Sequence, residues 1–140
     1  MSTRTAPTKF RDHPIEYVVD EANRAVVCII HGCNFDAYRA LGVTAYWDGL
    51  NLGMARDIKA VAICAPEDTF NAETGKQIAF ARARKKYWIK ITRRMIRYKE
   101  FLLAEHRKAS KVHGGFYAKL TDAEHSLQSE IEYATRGENA

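Results

Sequence analysis

Between Ile78 and Leu102 an apolar residue returns every three or four positions, and neither glycine nor proline interrupts the run. Ile78, Ala81, Trp88, Ile91, Met95, Tyr98 and Leu102 follow this spacing, with Arg84 and Lys85 breaking it and Ile89, Ile96 and Leu103 widening it. That period is helical. Asn71 is suited to cap the helix, and Glu73 in the first turn suits the positive end of the macrodipole. Carried to Ala109, the helix has about 38 residues and spans roughly 57 Å at 1.5 Å per residue. A small sheet cannot cover that length. Either a kink or a C-terminal half packed on another chain is expected, so a homodimer through the long helix is one outcome.

Strands precede the helix. Ile15, Tyr17 and Val19 alternate with Glu16, Val18 and Asp20, which reads as a strand. Ala25 to His31 is rich in β-branched residues and reads as a second, joined to the first by a turn over Glu21 to Arg24. Ile58 to Ala65 is the third, ended by Pro66, which cannot donate to a ladder. Asn34 is placed to cap a short helix over 35–41, with Gly42 closing it, and a short strand over 43–47 would follow. The expected fold is α+β: an antiparallel sheet of three or four strands packed on one long amphipathic helix, with a C-terminal helical appendage. Trp88, Ile91, Met95, Val27, Ile29, Val61 and Ile63 are the expected core.

The organisation follows. Residues 1–13 read as a flexible N-terminus and 14–111 as the α+β domain. Residues 112–140 read as a hinge at Gly114-Gly115 and an acidic helix. Thr121 to Glu124 matches a capping box for that helix.

Charge is unevenly placed. From Lys76 to Lys111 there are thirteen Lys and Arg against Glu100 and Glu105, a net of +11 in a chain whose total is +5. The remainder therefore carries −6, and residues 121–140 hold five acids and one Arg. Such asymmetry points to a polyanionic partner or to an acidic one within the assembly. On the helix, Arg82, Lys86, Lys90, Arg93, Arg94 and Arg97 fall within about a third of the circumference. Like charges four residues apart repel by a few tenths of a kcal/mol each. Phosphates would relieve that repulsion, since guanidinium forks them bidentately. Three other readings compete: a merely solvated face, a helix lying on a membrane surface, and pairing with the acidic helix of the same or a second chain.

Chemistry beyond binding is poorly signalled. Cys28, His31, Cys33 and Cys64 include zinc-type donors, but Cys28 and His31 point to opposite faces of a strand. Cysteines on apolar strands are more often core residues. Asp48, Asp57, Glu67 and Asp68 lie in no metal-ligand spacing. No phosphate-binding glycine loop and no nucleophile elbow is present. The chain thus reads as non-enzymatic, with no metal or cofactor called for. Tyr46 and Trp47, beside Asp48-Gly49, are either interface anchors or a cover for the sheet.

No apolar run approaches the ~18 residues of a membrane helix. The N-terminus lacks the apolar core of a signal peptide, and three cysteines cannot all pair, which together point to a cytoplasmic setting.

The segment Ala62 to Ala83, with Cys64, Pro66, Asp68 and Phe70 in its turn and Gly75-Lys76 opening its helix, resembles a strand–turn–helix junction of small phage and prophage proteins. Gly75 to Ala83 also faintly resembles the second helix of double-stranded RNA-binding domains. The phage resemblance implies a bacterial host cell, and together with the basic stripe and the length of the helix it leaves three functional expectations. The first is a non-enzymatic binding protein whose basic helix engages nucleic acid or a nucleoprotein. The second is a phage inhibitor of a host defence complex, anti-CRISPR-like, acting by steric block. The third is a structural, self-associating protein.

Overall fold

The computed structural model describes residues 5–42 and 50–138. The elements run β1 (Lys9–Phe10), β2 (His13–Asp20), β3 (Ala25–Ile30), α1 (Asp36–Leu41), β4 (Ile58–Ile63) and α2 (Ala72–Glu138). The expected strand over 43–47, and Tyr46, Trp47, Asp48 and Gly49 with it, lie outside the described residues. The chain divides into two compact units, residues 1–98 and 99–140.

In the first unit the strands form one antiparallel sheet in the order β1-β2-β3-β4. The β2–β3 turn is fixed by Asp20, whose carboxylate accepts from the Asn23 backbone at 3.1 Å and side chain at 2.6 Å. Arg24 takes a positive φ of 54° to close it. The Arg24 guanidinium then donates to the carbonyls of Pro66 and Asp68 and to Cys64 Sγ. It clamps the turn that leads into α2.

Asn71 caps α2 as expected: its Oδ1 accepts from the amides of Glu73 at 3.0 Å and Thr74 at 3.2 Å. The helix buries Ala79, Ala83, Tyr87 and Ile91, four residues apart, against the sheet. Gly75 extends that row one turn earlier. A Cβ there would meet Val26 Cγ2 at 2.7 Å, so the glycine sets how closely helix and sheet approach. From the sheet come Val26, Cys28 and Ile30, then Ile58, Ala60 and Ala62; Leu52 and Met54 close the core.

Several expectations need correcting. The buried strand positions are offset by one from those expected. Val27 and Ile29 lie on the other face, where Val61 is 42% and Ile63 73% exposed. A one-residue shift of phase exchanges the two faces of a strand completely. Trp88 is 46% exposed rather than buried; Tyr87 takes the interior position beside it. Residues 5–13 are not loose: Ala6, Phe10 and His13 are buried, with Phe10 packed edge-on against Tyr87 at 5.0 Å. Asn34 does not cap α1. The cap position is Phe35, without a side-chain bond, and Asn34 lends its carbonyl to Met54 instead.

In the second unit the helix runs unbroken through Gly114-Gly115. Two glycines cost roughly 2 kcal/mol relative to alanines, which several flanking turns of Lys, Ala, Tyr and Leu can offset. Thr121 is no cap; its hydroxyl donates to the Tyr117 carbonyl one turn back, at 3.1 Å. Leu102, Ala109, Val112, Phe116, Leu120, Ala123, Leu127, Ile131 and Ala134 recur at helical spacing, and all are exposed. Among the described residues no helix is long and apolar enough to cross a membrane.

Candidate nucleic-acid interface

Because α2 lies over the inner face of the sheet, one flank of the helix runs beside β4, the edge strand. Four of the six stripe cations are engaged there or just beyond. Lys86 Nζ donates to the Lys59 carbonyl at 2.7 Å and Arg82 Nη1 to the Val61 carbonyl at 2.8 Å. Both carbonyls face outward from the sheet. Arg97 Nη1 donates to the Asn51 carbonyl at 2.9 Å, and Arg94 donates to Gly53 from Nε and Nη2 at 3.3 and 3.2 Å. Lys90 and Arg93 have no hydrogen-bond or ion-pair partner among the described residues.

This arrangement has two physical consequences. An edge strand with free carbonyls invites pairing with another chain, and positive side chains laid across it oppose that. The bonded carbonyls are also neutral, so none of the six cations is compensated by a carboxylate among the described residues. Each of the three bonded guanidiniums, of Arg82, Arg94 and Arg97, has five N–H donors and uses one or two here. The row stays cationic, four of its six side chains are held in place, and all six keep donors to spare.

Beside it lies a feature the sequence reading did not assemble. Arg84, Lys85, Trp88, Ile89 and Arg93 line an open groove of about 600 Å³ on α2. Lys85 and Ile89 also line a second groove of about 360 Å³, shared with Arg82, Lys86 and the β4 residues Ala60 and Val61. The Arg11 guanidinium sits 5.6 Å from the Trp88 ring, and Arg84 sits 5.5 Å from Phe80. Arg84 and Lys85 looked like interruptions of the apolar stripe, and that interruption was the available signal.

The other cluster with chemical potential is interior. Asp36 Oδ2 is 2.6 Å from His13 Nε2 and accepts the Tyr87 hydroxyl proton at 2.5 Å. Arg11 Nη1 donates to the Tyr87 oxygen at 3.0 Å. Burial first, and then the Asp36 carboxylate, push the Tyr87 hydroxyl up to about 12. The donors of His13, Cys33 and Asp36 lie within 4.8 Å of one another, so these residues could hold a metal ion. Their existing partners describe a satisfied polar network instead. The Cys33 thiol, raised to about 11 by burial and then by Asp36 and Asp57, lies 3.8 Å from the Ile30 carbonyl. Arg39 Nη1 approaches Asp36 Oδ1 at 3.8 Å, and Arg11 lines the same shallow pocket.

The cysteine–histidine set weighed for zinc is not brought together. Cys28 is buried in the core, and Cys64 lies against Arg24. His31 sits on the outer sheet face between Asp57 and Glu16, 2.9 Å from each. Comparison of the chain with protein-family models, curated proteins and solved structures finds no match.

Proposed function

We propose that this protein is a non-enzymatic nucleic-acid-binding module, and that the cationic flank of α2 together with Trp88 is its binding face. One observation supports this above the others. Arg82, Lys86, Lys90, Arg93, Arg94 and Arg97 stand in a row with no carboxylate partner among the described residues, beside an indole left half exposed between Arg84, Lys85 and Arg93. Guanidinium and ammonium groups match phosphates, and an exposed indole offers a stacking surface to an unpaired base. Contacts of this kind fix position without reading sequence, so the affinity is for backbone and single-stranded character.

The test is a salt titration of binding to labelled single- and double-stranded DNA and RNA. Neutralising ~5 phosphates gives a slope of log K against log salt near −4.5. Lys90→Glu/Arg93→Glu abolishes binding, and Trp88→Ala weakens single-strand binding by about 1–3 kcal/mol. Absence of binding at low salt overturns the reading. The search then moves to the nucleoprotein of a host defence complex, which the same face would engage as an inhibitor.

A further inference from the structure

The second unit is a helix that carries an exposed apolar stripe, with Lys119 Nζ 5.8 Å from the Phe116 ring centroid. Leu102, Val112, Phe116, Leu120, Leu127 and Ile131 fall within about 100° of the circumference. All are exposed, Phe116 at 66% and Leu127 at 62%. An isolated helix gains little stability from propensity alone; packing of an apolar face normally supplies it. The Gly114-Gly115 pair makes that need greater, since neither glycine approaches any neighbour that would explain it.

The charges say what covers this face. Residues 99–119 carry five Lys and Arg against Glu100 and Glu105, whereas residues 120–138 carry five acids against Arg136. A parallel pair would oppose like charge to like along its whole length. An antiparallel pair brings the basic half of each chain onto the acidic half of the other. We infer that residues 99–138 form an antiparallel two-helix interface with a second copy of this chain, closed by the apolar stripe and aligned by the two charge blocks. Full overlap centres the pair between Ala118 and Lys119. It sets His113, which falls inside the apolar arc, opposite Glu124, and Arg107 opposite Glu130. A polar position within an apolar seam fixes register at some loss of stability. This surface is separate from the proposed nucleic-acid face, which lies wholly in residues 82–97.

The test is sedimentation equilibrium on the full chain without nucleic acid, across salt concentration. Wild type is expected to be a dimer that weakens as salt rises. Phe116→Asp/Leu127→Asp should be monomeric, with the near-ultraviolet signal of the first unit unchanged. Two charge variants sharpen the result. Lys108→Glu/Lys111→Glu and Glu130→Lys/Glu132→Lys should each self-associate at least roughly tenfold more weakly, while their mixture forms a heterodimer of near wild-type affinity. Three outcomes overturn the inference: a monomer at all concentrations, a dimer indifferent to Phe116→Asp/Leu127→Asp, or a dimer that tightens with salt, which would indicate parallel pairing.

Discussion

The Tyr87 hydroxyl donates to Asp36 Oδ2 at 2.5 Å, joining α2 to the short helix α1 across the core. His13 lies 2.6 Å from the same oxygen, so one carboxylate organises three elements. Asp36→Ala leaves a histidine and a phenol buried without an acceptor and should cost about 3–5 kcal/mol. Tyr87→Phe removes one donor and leaves the His13 pair, for about 1–2 kcal/mol. Urea midpoints of the two variants check the ranking. Equal losses would mean that the carboxylate is not the organising group.

Gly75 faces Val26 closely enough that an added methyl must displace it. Alanine would gain up to ~1 kcal/mol in helix propensity. Overpacking costs about 1–3 kcal/mol, and the displaced group belongs to a strand fully buried at that position. Gly75→Ala should therefore lower the melting temperature, and Gly75→Ala/Val26→Ala should recover part of the loss. A stabilised single variant would show that the helix can shift outward freely.

How much of this was legible depended on whether charge marked the faces. The long helix, its Asn71 cap and three of the four strands follow from spacing alone. The strand phase was also within reach. Lys59 alternates with Ala60, so Val61 and Ile63 share the lysine's outward face. Size misleads over residues 60–63: Val61 and Ile63 point out and Ala60 and Ala62 point in, because Gly75, Ala79 and Ala83 bring the helix close. On β3 both faces are apolar, and alternation carries no information there. The β1–β2 hairpin was hidden because it owes its order to Phe10 meeting aromatic residues far along the chain. That the six stripe cations share one flank of α2 also follows from their spacing. Nothing in the sequence shows that four of them bond backbone carbonyls of the edge strand and of residues 51–53.

That division among the cations separates binding from stability. Lys90→Glu/Arg93→Glu should leave stability within about 0.5 kcal/mol of wild type while removing nucleic-acid binding. Arg82→Ala/Lys86→Ala should lose about 1 kcal/mol or more, because each side chain makes a charged bond to a carbonyl. The same pair uncovers the β4 edge, so light scattering should show aggregation that the first variant lacks. A soluble, fully stable Arg82→Ala/Lys86→Ala protein would assign these cations to binding alone.

His31 should make stability depend on pH in a definite direction. Its Nδ1 meets Asp57 and its Nε2 meets Glu16, each at 2.9 Å, and both bonds can form only when both nitrogens carry protons. The Asp57 bond first, and the Glu16 bond next, hold the imidazole above its ordinary value. Because the folded value is the higher one, the contribution is complete below about 6.5, the unfolded value. It disappears as pH rises through the folded value. The site is partly exposed, so screening limits the effect to a few tenths of a kcal/mol. Melting temperatures from pH 5.5 to 8.5 should fall further for wild type than for His31→Gln, which keeps one donor and cannot charge. If the two curves stay parallel, the imidazole is not held as a cation between the two carboxylates.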